Sequence, residues 1–255
     1  MSGGRVDYRV QGAVGYLTLD APPHNILTGA LMTQCAEALD RAAADRTLVA
    51  VAVGANGTAF SAGADVGEHR PENAPAMIAA FSALFDRLGS LDLPIVMAVD
   101  GAALGAGFEL ALMADVLIAT PRARFGQPEI RLGFFAPVGV AWLAQRVGLG
   151  RAVELTSTGR TCSAAEMEAM GLVSAIVEPD GLAARVEAVL DDCRRASPAV
   201  MRLNVGCLRR LQGRPFAEAH REAERVFLDE LMRLDDVREG IASFYDKRRP
   251  AWGNR

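Results

Sequence analysis

Glu109 and Glu129 stand twenty residues apart, each in a stretch that is otherwise apolar and rich in turn-forming residues. The first lies in Gly101-Ala-Ala-Leu-Gly-Ala-Gly-Phe-Glu109-Leu-Ala-Leu-Met-Ala-Asp115, and the second closes Arg124-Phe-Gly-Gln-Pro-Glu129. Carboxylates are expensive to place in apolar surroundings, and those that are kept there commonly work as acids or bases. A pair within reach of one substrate can divide the labour, one carboxyl removing a proton while the other supplies one.

The glycines around Glu109 add a second kind of chemistry. Gly101, Gly105 and Gly107 follow a strand-like run and lead into a helix. Such a turn presents backbone N–H groups that the helix leaves unpaired, and these can stabilise a developing oxyanion. Small residues also permit close helix–strand packing, so both uses stay open here. A dinucleotide-binding turn is disfavoured, because no acidic residue closes a second strand where that motif needs one. Thr58-Ala-Phe-Ser-Ala-Gly-Ala-Asp65 forms another small-residue turn directly after a strand, and the N–H of Ala64 can supply a second donor. Two donors aimed at one carbonyl oxygen suit a thioester whose enolate forms during reaction. Removing one such donor costs about 2.7–4 kcal/mol of transition-state stabilisation.

Alternating strands and helices must position these groups. Residues 14–19 alternate as a half-buried strand does, while 48–53 and 94–99 are continuous β-prone runs, with shorter ones at 116–119 and 174–177. Amphipathic helices are predicted between them at 28–44, 74–88, 108–114 and 138–147. This alternation indicates an α/β fold. From about residue 182 the strand signals stop. Helices are predicted at 183–193, 198–211 and 216–234, with a capping-box-like start at Asp236-Val-Arg-Glu239 for another. The chain therefore divides into a core, 1–181, and a C-terminal helical region, 182–255. The apolar face of that region (Phe227, Leu228, Leu231, Met232 and Leu234) either packs on its own core or seats a neighbouring subunit.

Composition narrows the function classes. The 255 residues are 51% hydrophobic and 23% charged, with a net charge of −4, which gives no electrostatic footprint for nucleic acid. No apolar stretch reaches the ~18 residues of a membrane span, and no secretory h-region is visible, so a cytoplasmic protein without membrane association is expected. Cys35, Cys162, Cys193 and Cys207 show no metal-ligand spacing and read as reduced structural thiols. No metal site is expected.

Three stretches together resemble the crotonase (enoyl-CoA hydratase/isomerase) superfamily: Phe60-Ser-Ala-Gly-Ala-Asp65, Gly101-Ala-Ala-Leu-Gly-Ala-Gly-Phe-Glu109-Leu-Ala and Phe125-Gly-Gln-Pro-Glu129-Ile-Arg-Leu-Gly133. The likeness continues through Gly171-Leu-Val to Glu239-Gly-Ile-Ala-Ser-Phe244-Tyr-Asp-Lys-Arg-Arg-Pro250, nearly the whole chain. It implies a ClpP-like spiral of ββα units with a helical C-terminal region that mediates trimers, two of which can stack into a hexamer. It also implies an acyl-CoA substrate and no separate cofactor. Ala64 and Ala106 match the amides of the family's oxyanion hole, and Glu109 and Glu129 match the two acid/base glutamates of its hydratases. Residues Ala62, Asp65, Val66 and Gly67 fall in the strip that grips CoA, and Phe244 and Lys247 sit where relatives reach CoA across a subunit boundary.

The implied reaction is syn addition of water across a double bond conjugated to the thioester. Glu129 would move the α-proton while Glu109 orients and activates the water, helped toward ionisation by its helix N-terminus. Departures from the pattern lie in the acyl pocket. Hydratases read approximately Ile-Pro-Gly-Ala-Gly-Gly-Thr after the position of Gly133, whereas this chain reads Phe134-Phe-Ala-Pro-Val-Gly-Val-Ala-Trp142. Pro137 there removes a backbone donor expected near Glu129. Glu68-His69 and Pro22-Pro-His24-Asn25-Ile-Leu-Thr28 look like the cyclohexa-1,5-diene-1-carbonyl-CoA hydratase branch. His69, Phe134, Pro137 and Trp142 are accordingly expected to line the acyl pocket. A straight-chain enoyl-CoA hydratase, a ring-opening hydrolase and a non-catalytic acyl-CoA-binding member remain the alternatives.

Overall fold

The computed structural model describes residues 4–254. β1 (Arg5–Gln11) and β2 (Val14–Asp20) form an antiparallel hairpin, followed by α1 (Gly29–Ala44). Three similar units come next, each passing from a longer strand to a three-residue strand and on to a helix. They are β3 (Ala50–Ala55), β4 (Ala59–Ser61) and α2 (Ala74–Ser90); β5 (Ile95–Val99), β6 (Ala102–Leu104) and α3 (Ala106–Leu112); and β7 (Val116–Ala119), β8 (Arg124–Gly126) and α4 (Pro137–Val147). After α5 (Leu149–Thr158), β9 (Thr161–Ser163), α6 (Ala164–Ala169) and β10 (Ala175–Ile176) complete the sheets, and α7 (Leu182–Arg194), α8 (Pro198–Leu211), α9 (Phe216–Asp229) and α10 (Asp235–Tyr245) finish the chain.

The longer strands make a six-stranded sheet in the order β1-β2-β3-β5-β7-β10, parallel from β2 onward. The short strands make a second sheet, β4-β6-β8-β9, in which β4, β6 and β8 are parallel neighbours and β9 runs antiparallel. Each unit thus adds one strand to each sheet, and the C-terminal ends of β4, β6 and β8 arrive at one edge. Those ends carry the small-residue turns and both glutamates.

The continuous apolar run at 48–53 is explained by coverage of both faces of the larger sheet. Val51 and Val53 pack with Leu31, Leu39, Leu84 and Leu88 of α1 and α2, while Ala50, Val96 and Ile118 pack against Val186 and Leu190 of α7. The first helix of the 182–255 region therefore completes the core. Helix α1 starts where Thr28 Oγ1 accepts from the Leu31 amide and Glu68 Oε2 accepts from the Gly29 amide. Both satisfy N–H groups that a helix start leaves orphaned.

Two buried polar residues fasten the C-terminal helices. Arg202 of α8, 2% exposed, pairs with Asp92 and donates to the carbonyls of Ala42 and Asp45. Asp236 does not cap α10 as the sequence suggests. It lies inside the helix, buried, accepting from Ser197 Oγ and from the amides of Gly253 and Asn254. The helix expected at 216–234 ends at Asp229 and gives way to a 3-10 turn over Leu231–Arg233. Phe216, Leu228, Phe244 and Tyr245 remain largely exposed on these helices. Among the described residues, all four cysteines are free, no helix is long and apolar enough to cross a membrane, and no cluster of three metal-ligating side chains occurs.

Candidate active site

The strand ends of the smaller sheet close on one another through glycine. Gly63 and Gly105 both have positive φ (+104° and +54°), which L side chains rarely adopt. A Cβ on Gly63 would lie 2.9 Å from the Leu104 carbonyl oxygen and 3.6 Å from the Ala106 nitrogen. The Gly105 amide donates to the Gly126 carbonyl, tying the β6 end to the β8 end. Gly107 rests on Ser61, where a Cβ would approach the Ser61 carbonyl oxygen to 2.4 Å. The close-packing use of these glycines and the presentation of amides are one arrangement: backbone contact brings the Ala64 and Ala106 turns together. Ala106 opens α3, so its N–H has no acceptor within the helix.

A cavity of about 360 Å3 lies over this edge. Its walls include Ala64, Ala106, Glu109 and Glu129, so the structure brings together all four residues singled out from the sequence. Ala62, Val66, His69, Phe134 and Pro137 also line it. Helix α2 roofs it with Met77, Ile78 and Phe81. Asp65 and Gly67 lie just outside, where Asp65 Oδ1 accepts from the Gly67 amide and shapes the turn carrying Val66.

Glu109 is 2% exposed. Its Oε1 accepts from the Val138 amide at 2.7 Å and the Gly139 amide at 3.0 Å, the first free N–H groups of α4. Sequence reasoning missed this cradle. Pro137 at the first turn was the available signal, since proline favours that position and leaves the next amides free. The donors at 138 and 139 serve Glu109 and not Glu129, whose Oε2 has no hydrogen-bond partner.

The expected pull of Glu109 toward ionisation is also reversed. Burial pushes its carboxyl up to about 7, the Gly139 and Val138 amides oppose the rise, and the negative charge of Glu129 reinforces it. Glu129 sits in a 3-10 turn, Pro128–Leu132, directly after β8. Its Oε2 is buried without a hydrogen-bond partner, and its carboxyl is raised by burial, against a smaller lowering from its own backbone amide and from His69. Both carboxyls thus favour the neutral form more than a solvated glutamate does.

His69 is held by Nδ1 against the Asp65 carbonyl at 2.9 Å, with its ring 5.2 Å from that of Phe134. Trp142 is a correction. It lies on another face of α4, packed on the main core, and does not line the glutamate cavity. The periodicity of the helix explains this: five residues beyond Pro137 is 500° of rotation, well off the face that Pro137 presents. Phe244 and Lys247 are exposed at the end of α10 and line no part of this chain's own cleft. Gln127, two residues before Glu129, is buried with both side-chain polar atoms unpartnered, its amide packed on Gly139.

Comparison with known proteins gives this geometry a family. A model of the enoyl-CoA hydratase/isomerase family matches residues 9–255. The chain is 34% identical over 244 residues to a cyclohexa-1,5-dienecarbonyl-CoA hydratase of Thauera aromatica, covering 96% of this chain and 94% of that one. It is 33% identical over 248 residues to a 2,3-dehydroadipyl-CoA hydratase of Escherichia coli (strain K12), covering 96% and 97%. A crystal structure of an enoyl-CoA hydratase from Mycobacterium smegmatis superposes with a TM-score of 0.89 at 30% identity, covering 98% of each chain.

Proposed function

The chain belongs to the enoyl-CoA hydratase/isomerase family and has its crotonase fold, and from that membership we propose that it adds water to an α,β-unsaturated acyl-CoA through Glu109, Glu129 and the Ala64 and Ala106 amides. The observation that carries this reading is the meeting of two glutamates and two amide-bearing turns in one cavity. The thioester oxygen takes hydrogen bonds from the two N–H groups, which strengthen as negative charge moves onto it. Glu109, fixed by Val138 and Gly139, holds the water and removes its proton as the oxygen bonds to Cβ. Glu129 gives its proton to Cα. A base titrating near the working pH is efficient by Brønsted behaviour, and Glu109 titrates at about 7. Glu129 Oε2, buried with no partner, leaves that carboxyl an oxygen free for the proton.

The acyl group we propose is a cyclic dienoyl thioester. The His69–Phe134 pair, Phe81, Met77 and Pro137 give the cavity broad, largely apolar walls suited to a flat ring. The CoA portion lies along Ala62–Gly67. Phe244 and Lys247, exposed and outside their own cleft, contact CoA bound to a neighbouring copy in a trimer assembled through the apolar face of α9 and α10. The deciding assay follows loss of the conjugated thioester absorbance for crotonyl-CoA and cyclohexa-1,5-diene-1-carbonyl-CoA. Faster turnover of the cyclic substrate is expected. Preference for the straight chain would replace the substrate, and binding of both thioesters without hydration of either would remove the catalytic reading.

A further inference from the structure

A second and larger cavity, about 600 Å3, lies between α4 and the α8–α9 pair and contains neither glutamate. Trp142 and Arg146 of α4 and Asn204 and Arg209 of α8 contribute to its wall, with Asp115 beside them. Its chemistry is lopsided. Arg146 is half-buried and donates from Nη2 to the Ala114 carbonyl, yet no carboxylate among the described residues lies within ion-pair distance of it. Arg209 uses Nη2 for both Asp115 and the Leu93 carbonyl, while its Nε is buried without an acceptor. The Trp142 indole N–H is likewise buried and unanswered. Asp115, the acidic group of this wall, already accepts from both the Ile95 amide and Arg209 through Oδ2.

Two guanidiniums therefore stand in one wall with a single carboxylate, which pairs with Arg209 alone. Burial pushes Arg146 down from its ordinary range, Asp115 opposes this, and repulsion from Arg209 adds to it. Clustered guanidiniums present several donors in a fork that matches a two-oxygen anion. Water can satisfy a single donor but does not neutralise the excess positive charge. We propose that this cavity is a binding site for a compact oxyanion, a phosphate or a small carboxylate, held by the Arg146 and Arg209 guanidiniums with Trp142 in the wall beside them. The site draws on no feature of the glutamate cleft and stands whatever acyl group that cleft takes.

Calorimetric titration of the full-length protein with inorganic phosphate and, separately, with succinate tests this, at constant ionic strength with chloride as control. Saturable binding of one equivalent per chain is expected for at least one of the two, and the arm that binds identifies the anion class. Arg146→Gln and Arg209→Gln should each weaken it tenfold or more, while Arg146→Lys, keeping charge but not the fork, should fall between. No saturable binding of either anion, or unchanged affinity in both glutamine variants, overturns the proposal. Should the variants fail to fold, the wild type still decides. Titration should move the indole N–H resonance of Trp142 and leave that of Trp252, which donates to the Arg195 carbonyl, in place. A stationary Trp142 resonance under saturating anion also overturns it.

Discussion

Glu109, which we propose as the base, also bears on stability. Its neutral form is favoured by the fold, with the carboxyl raised to about 7 by burial. A carboxyl raised on folding contributes stability in full below its unfolded value and loses that contribution as pH climbs through the folded value. Glu109→Gln, which can still accept from Val138 and Gly139, should therefore stabilise the protein above pH ~7 by on the order of 3 kcal/mol and have little effect near pH ~4.5. Denaturant unfolding at the two pH values checks this, and an equal effect at both would be the contrary result. The same substitution should lower turnover by about 10²–10⁴-fold, as should Glu129→Gln. With Glu109 as the base, kcat of the wild type should rise with pH through about 7; a rate that instead falls through that range would exchange the roles of the two glutamates. Both residues stood out in the sequence because a carboxylate among alanines, leucines and glycines needs a reason. Apolar surroundings already imply that one carboxyl favours its neutral form, but that Glu109 is the one raised to about 7 did not stand out, because its burial is completed by α4 and α2.

Elements differ in how much of them the sequence displays. The helices at 29–44 and 74–90 carry an apolar stripe over several turns and were legible from periodicity. β4, β6, β8 and β9 have three residues each, too few for a period, and exist only by pairing with one another. Those strands aim the site, so the amide turns were recognisable while the sheet holding them was not. Trp142 was assigned to the acyl pocket by its nearness in sequence to Pro137, and the turn of α4 sends it elsewhere. The glycines make this scale testable. Gly105→Ala would place a methyl at positive φ and 2.9 Å from Glu129 Oε1. Turnover should fall at least tenfold, and stability by about 1–3 kcal/mol from the strained backbone. Activity and unfolding measured side by side check both, and wild-type turnover would contradict the close approach. Gly139→Ala, with its Cβ 2.3 Å from Gln127 Oε1, should disturb the Glu109 cradle and lower kcat in the same way.

At the scale of the molecule, the C-terminal helices hang on a few buried polar contacts and offer apolar side chains to the outside. Arg202→Ala should destabilise by about 1–3 kcal/mol, because it takes the buried donor from the Ala42 carbonyl and leaves Asp92 paired with Arg46 alone. Thermal unfolding is the check. If α9 and α10 join copies as proposed, Leu228→Glu should convert a trimer to monomers in size-exclusion chromatography and raise KM for the CoA ester, as Lys247→Ala should without dissociation. The ββα winding has a further bearing on inheritance. Ala62, the two amide turns, both glutamates and the Glu109 cradle all fall between residues 62 and 139, in three consecutive units. Two crossovers with a relative's gene would exchange the whole chemical apparatus as one block. The arginine cavity, drawn from Met113 to Ala223, would be cut by the second of them, so that its Asp115 would come from one parent and its Arg146 and Arg209 from the other.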